Sequence, residues 1–180
     1  MSFSTHAIRQ ACTAQATVDT PLGPLLLART ARGLAGAWFE GQGDHPVALD
    51  APQRPDDPLL QAAAAQFAAY FAGRLTQFDV PLDLHGTAFQ RAVWQALLGI
   101  APGRTCCYAD IAREVGATKA VRAVGAAIGR NPVSVIVPCH RVIGRDGTLT
   151  GYAGGLHRKR ALLALEGAQA PLALEPEVVR

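Results

Sequence analysis

The hydrophobic positions of this chain change period near residue 85. Up to residue 39 they come in short runs broken by turn residues. The runs at 16–20 and 25–30 flank Pro21-Leu22-Gly23-Pro24, and a third at 34–39 follows Gly33. Short apolar runs punctuated by Gly and Pro read as strands, and three in succession predict a small meander. Residues 41–58, rich in Gly, Pro and Asp, read as a loop. Helical spacing then takes over at Leu60, Ala63, Phe67, Tyr70 and Phe71. Asp57 is placed to cap that helix, Pro58 to occupy its first position and Gly73 to stop it. Residues 74–86 contain Pro81, lack either period, and read as an extended linker.

Beyond the linker the pattern is helical. Thr87-Ala88-Phe89-Gln90 is a capping box, and Phe89, Val93, Trp94 and Leu97 supply an apolar stripe. Two short helical segments follow, at about 108–115 and 118–128, separated by Gly116-Ala117. With Thr118 as N-cap of the second, this is the spacing of a helix-turn-helix. Such a pair also occurs as a plain αα-corner. The β-branched run 133–137 reads as a buried strand, and a last helix at about 156–166 ends at Gly167. The expected organisation is an α/β N-terminal domain at 1–84, a mostly α C-terminal domain at 85–170, and a tail at 171–180.

Composition narrows the class. Of 180 residues 49% are hydrophobic, enough to bury a core. No apolar run is long enough to cross a bilayer, and residues 1–10 contain no h-region of a secretory signal. The expectation is a cytoplasmic protein, not associated with membranes. The cysteines, Cys12, Cys106, Cys107 and Cys139, form no CxxC pair and no zinc-finger spacing, which fits free thiols in a reducing compartment. Residues 1–84 carry five Lys/Arg against eight Asp/Glu, a balance of −3; residues 85–180 carry twelve against six, a balance of +6. A basic C-terminal half suggests an anionic partner, nucleic acid first, although a solvated basic face has the same composition.

One cysteine stands out. Cys139 lies between Pro138 and His140-Arg141, and an imidazole with a positive charge nearby favours the reactive thiolate. Neighbours in an extended chain point to opposite sides, so contact between His140 and the sulfur does not follow from adjacency. The longer string Ile136-Val137-Pro138-Cys139-His140-Arg141-Val142-Ile143 resembles the active-site signature of the O6-alkylguanine-DNA alkyltransferases. Around it, in order, stand Tyr108, then Ala120-Val121-Arg122-Ala123-Val124-Gly125, Asn131-Pro132, and Gly151-Tyr152-Ala153-Gly154-Gly155. The resemblance is dense from about Phe89 to Gly167. Over 1–84 it is weaker, Thr20-Pro21-Leu22-Gly23-Pro24 being the best match.

That resemblance implies a ribonuclease H-like N-terminal domain and a C-terminal domain carrying a winged helix-turn-helix-like motif that enters the minor groove of double-stranded DNA. It implies that Cys139 accepts an alkyl group irreversibly from O6-alkylguanine, activated through water by His140, itself held by Glu166. Arg122 would fill the gap left by an extruded base, with Thr118, Ala120, Ala123 and Gly125 on the same DNA-facing segment, and Tyr108 would rotate the nucleotide and face the base N3. Asn131 would organise the active-site strand; Val142, Tyr152 and Ala153 would complete the substrate pocket. Extrusion is a physical necessity, because O6 lies on a base edge inside the stack. The family includes zinc-binding members, but the N-terminal ligand candidates here are only Cys12 with scattered His6, His45 and His85, so neither a metal nor another cofactor is expected. A monomer without an obligate protein partner is expected. Two other readings stay open on sequence: a non-catalytic recogniser of alkylated DNA, and a cysteine hydrolase using Cys139, His140 and Glu166.

Overall fold

The protein is described here by a computed structural model covering residues 8–43 and 48–168. His6, His45 and the expected tail at 171–180 lie outside the described residues.

After a helical turn at 8–11, β1 (Ala14–Val18), β2 (Leu25–Arg29) and β3 (Leu34–Phe39) form an antiparallel meander in the order β1-β2-β3. The turn between β1 and β2 is held by Thr20, whose hydroxyl donates to the Gly23 carbonyl at 2.6 Å and accepts from the Leu22 N–H. Helix α1 (Pro58–Phe71) begins as predicted: the Asp57 carboxylate accepts from the N–H groups of Leu59 and Leu60, and Pro58 needs no partner at the first position. Its buried Leu60, Ala63, Phe67 and Tyr70 pack into the same core as Leu25, Leu27 and Phe39 of the sheet.

The expected linker is not free of the sheet. Leu34 N–H donates to the Pro81 carbonyl and Asp83 N–H to the Leu34 carbonyl, so Leu82 lies parallel against Leu34 at the sheet edge. Gly33 is required there, because a Cβ on it would lie 2.6 Å from the Pro81 carbonyl oxygen.

Helix α2 (Ala88–Leu98) opens with the predicted capping box between Thr87 and Gln90. It buries Trp94, whose indole N–H donates to the Ala127 carbonyl at 2.8 Å and ties α2 to the helix-turn-helix. There, β4 (Cys106–Cys107) leads into α3 (Tyr108–Glu114) and then α4 (Val121–Gly129). Thr118 is not the N-cap of α4. The Ala120 N–H closes a turn onto the Ala117 carbonyl, Ala120 takes the cap position without a side-chain bond, and Thr118 is exposed in the turn.

The run 133–137 is not a strand either. Pairing is limited to isolated bridges, and Val135 has φ of 73°, a left-handed conformation costly for a β-branched residue. The chain doubles back here, with Val137 N–H on the Val133 carbonyl, and enters a 3-10 turn at Cys139–Arg141. β5 (Val142–Ile143) pairs in parallel with β4, a tight turn at 144–148 forms the wing, and α5 (Leu156–Leu165) closes the domain.

Candidate active site

The doubled-back segment points Cys139 into the core, where it is 6% exposed. Asn131 makes the arrangement. Its amide nitrogen donates to the Val137 carbonyl at 2.7 Å and to Cys139 Sγ at 3.1 Å, while its amide oxygen accepts from the Val133 N–H at 3.0 Å. One side chain therefore closes the turn and holds the sulfur. Burial pushes the Cys139 thiol above its ordinary value; Asn131 and the nearby Lys159 ammonium oppose this without reversing it. The resting nucleophile is thus a protonated thiol.

Because Cys139 and His140 share a 3-10 turn, His140 points away from the pocket towards Glu166, with Nε2 2.9 Å from Oε1. Burial lowers the pKa of the imidazole, so at neutral pH it is uncharged; Nε2 then carries the proton to Glu166 and Nδ1 presents a lone pair. Nδ1 is buried and has no hydrogen-bond partner among the described residues.

Glu166 follows the last turn of α5, where a carboxylate opposes the helix dipole. Four donors hold it there. Arg141 gives Nε to Oε2 and Nη2 to Oε1, both at 2.8 Å, and Oε1 also accepts from His140 and from the Tyr70 hydroxyl at 2.7 Å. Burial pushes the Glu166 carboxyl up, but these bonds outweigh it and hold the group well below the usual carboxylate range. Arg141 also donates to the Ile100 carbonyl. Sequence reasoning set the Arg141 charge beside Cys139, where it would favour the thiolate; the structure commits that charge to Glu166 instead and burial keeps the thiol protonated, while the part played by Tyr70 was missed. Arg141 sits two residues after the cysteine in the signature string, whereas Tyr70 comes from α1 of the other half and left no local signal.

It missed Lys159 as well. In His157-Arg158-Lys159-Arg160 a lysine looks solvated, yet this one is fully buried, with Nζ on the carbonyls of Val142 and Thr150 at 2.6 Å and a longer contact to Gly151. Desolvation lowers its pKa to about 8. It pins β5 and the start of the 151–155 loop to α5.

A cavity of about 490 Å³ opens beside this cluster, lined by Tyr108, Gly125, Gly129, Arg130, Tyr152 and Ala153 among others. The Tyr108 ring packs 3.7 Å from where a Cβ on Gly125 would lie, and its hydroxyl donates to the Thr150 carbonyl at 3.3 Å. Cys139 is within electrostatic reach of both tyrosines. Tyr108, Gly125, Tyr152 and Ala153 are thus brought to one wall, while Cys139, Asn131 on its sulfur and Val142, whose N–H bonds the Cys139 carbonyl, are not in the lining. The Val142 carbonyl is engaged by Lys159, and the Ala153 carbonyl by the Gly43 N–H at 3.1 Å. Arg122, at the second position of α4, is exposed, as is Ala123; Ala120 and Thr118 precede the helix. No group of three or more potential metal ligands occurs among the described residues. No helix among them is long and apolar enough to cross a membrane.

This arrangement has known counterparts. Residues 14–84 match the family model described as 6-O-methylguanine DNA methyltransferase, ribonuclease-like domain, and residues 88–168 match 6-O-methylguanine DNA methyltransferase, DNA binding domain. The methylated-DNA--protein-cysteine methyltransferase of Mycobacterium tuberculosis is 52% identical over 155 residues, covering 86% of this chain and 93% of its own. The protein of the same name from Methanosarcina acetivorans is 46% identical over 153 residues, covering 85% and 97%. Among solved structures, that of Mycobacterium tuberculosis OGT in complex with DNA superposes with a TM-score of 0.79 at 49% identity, over 88% of this chain and 96% of that one. An N-terminal ribonuclease-like domain, a C-terminal DNA-binding domain and these relatives place the chain in the 6-O-methylguanine DNA methyltransferase family.

Proposed function

We propose that this protein repairs DNA by direct reversal, moving the alkyl group of O6-alkylguanine in double-stranded DNA onto Cys139, once per molecule. The observation that carries the reading is the buried Cys139 thiol held by Asn131, followed in one 3-10 turn by a neutral His140 whose Nδ1 lone pair is uncommitted. The family and the names of the relatives support it.

In the mechanism, Glu166 fixes the His140 tautomer. His140 Nδ1 takes the Cys139 proton through a bridging water, and the sulfur attacks the alkyl carbon in line with the departing O6. The S–C bond forms, the C–O bond breaks, and its electron pair leaves on guanine. Tyr108, releasing its long bond to Thr150, donates to the base N3 and eases that charge. The pocket wall of Tyr152 and Ala153 receives the base, and exposed Arg122 enters the stack it vacates. The thioether product has no leaving group, so the protein is spent. The groups named supply nucleophile, base and hydrogen-bond donor, so this reading calls on no metal or cofactor. We place the protein in the cytoplasm, where its four unpaired thiols stay reduced, and read it as a monomer.

The test uses duplex DNA with a labelled methyl group on O6-methylguanine. One label per chain on the Cys139 peptide, with Cys139→Ser binding DNA but taking no label, is expected. Many repairs per molecule would indicate a hydrolase, and binding without label a recogniser; either overturns the reading.

A further inference from the structure

Arg158 is the point at which the two halves of the molecule meet behind the pocket wall. It lies on α5, next to Lys159, and all three guanidinium nitrogens are engaged with backbone carbonyls. Nε donates to Leu22 at 2.9 Å, Nη1 to Gly154 at 3.0 Å and Nη2 to Glu40 at 3.2 Å. Its guanidinium carbon also stands 4.8 Å from the centre of the Phe39 ring. Leu22 is in the β1–β2 turn, Phe39 ends β3, and Glu40 follows it; Gly154 belongs to the loop that carries Tyr152. The fork geometry of arginine suits this, since one planar group can serve three acceptors and present its face to a ring.

Other contacts converge on the same wall from the N-terminal side. Gly43 N–H donates to the Ala153 carbonyl. Gln42, buried, accepts from the Ser134 hydroxyl at 2.9 Å, just before left-handed Val135. A Cβ on Gly154 would come within 2.7 Å of the Tyr152 ring and 3.5 Å of the Phe39 ring, so loop, tyrosine and β3 are in close contact. Lys159 holds the start of the loop and the Gly155 N–H closes its end onto the Tyr152 carbonyl, so these ties from the N-terminal side hold its middle, between left-handed glycines at 151 and 155.

We infer that Arg158 is a positioning residue, through which the N-terminal sheet holds the Tyr152–Gly154 wall in the shape that receives the base. The N-terminal half then sets reactivity at Cys139 through the loop. With its guanidinium nitrogens on the Leu22, Gly154 and Glu40 carbonyls, Arg158 acts on the wall rather than on the reacting atoms. The inference rests on the proposed alkyl transfer.

The experiment compares free O6-benzylguanine and duplex O6-methylguanine as substrates for wild type, Arg158→Met and Arg158→Lys. Arg158→Met keeps the apolar stem but no donor; it is expected to lower the alkylation rate constant tenfold or more with both substrates, while its Kd for duplex DNA stays within twofold. Arg158→Lys keeps the charge and one donor and is expected to recover part of that rate. Amide exchange at Gly43 and Gly155, measured without substrate, should rise in Arg158→Met. Wild-type rates and exchange in the methionine variant overturn the inference. If that variant does not fold, a lysine variant with both rates unchanged overturns it equally. A wild-type protein that takes no alkyl group refutes the proposed function instead, and leaves amide exchange to decide whether Arg158 fixes the loop.

Discussion

Arg141 and Glu166 meet through two parallel hydrogen bonds, each 2.8 Å long, although 25 residues separate them in the chain. The same carboxylate receives His140 and Tyr70, so the catalytic turn, α5 and α1 share one anion. Glu166→Gln keeps the shape but removes the charge that these donors answer. It should destabilise the fold by about 3 kcal/mol, as does breaking a buried ion pair. Transfer should also slow by roughly 10²-fold through loss of His140 orientation. Urea unfolding and single-turnover rates at matched folded fractions check both effects, with little change expected in DNA affinity.

The pH dependence follows from the same pair. His140 has its pKa lowered from 6.5, so the unfolded chain binds that proton first and stability begins to fall as pH drops through about 6.5. Glu166 has its pKa lowered from 4.5, so its contribution is complete above that value and is lost as pH falls below it. Unfolding free energy against pH should therefore show an acid limb that steepens near 4.5, and Glu166→Gln should remove the lower part. The transfer rate should hold steady from neutral pH down past 6.5, because the imidazole remains an available base there.

Alkylation should weaken the fold. The Cys139 sulfur accepts a bond from Asn131 in a packed, buried site, and an added methyl group takes room while reducing the sulfur's accepting power. Overpacking and a weakened hydrogen bond together amount to roughly 2 kcal/mol. For a chain of this size that lowers Tm by roughly 4–8 °C. A thermal melt before and after one equivalent of substrate measures it. Asn131→Ala should show a smaller difference between the two states.

Arg122 should matter only where a base must leave the stack. It is exposed at the start of α4, away from the buried cluster. Arg122→Ala should react slowly with duplex O6-methylguanine, because the unstacking cost of a few kcal/mol is no longer offset, and near normally with the free base. Arg113→Ala, on the preceding helix and paired with Asp110, is the control and should change duplex reaction less. Equal slowing of Arg122→Ala on both substrates would assign the residue a structural role.

Much of this was legible in local sequence, for identifiable reasons. Asp57-Pro58 and Thr87 with Gln90 act within one helical turn, so their side chains alone announce the helices they start. The meander was plain where Gly or Pro stands beside a strand, as at Pro24 before β2 and Gly33 before β3; β1, entered from Cys12-Thr13 with neither, runs at 14–18 rather than the expected 16–20. Where distant groups decide, local reading failed. The run 133–137 has strand composition, yet Asn131 folds it back and imposes a left-handed valine. Thr118 is a good cap residue, but a backbone turn at Ala117 starts the helix later. Lys159 is buried because three carbonyls from other segments converge on it, and Tyr70 reaches Glu166 across 96 residues.

The depth and protonation of Cys139 have a consequence for a reagent that is consumed in a single use. Thiolates are what peroxides and small soluble electrophiles attack, and susceptibility follows exposure and thiolate character. A cysteine that is 6% exposed and held as a thiol offers little of either. Cys106 and Cys107, both half-buried, are more open to such oxidants. The molecule can therefore wait in storage with its one equivalent of reactivity intact, and the event that unlocks it is the arrival of an alkylated base in the pocket.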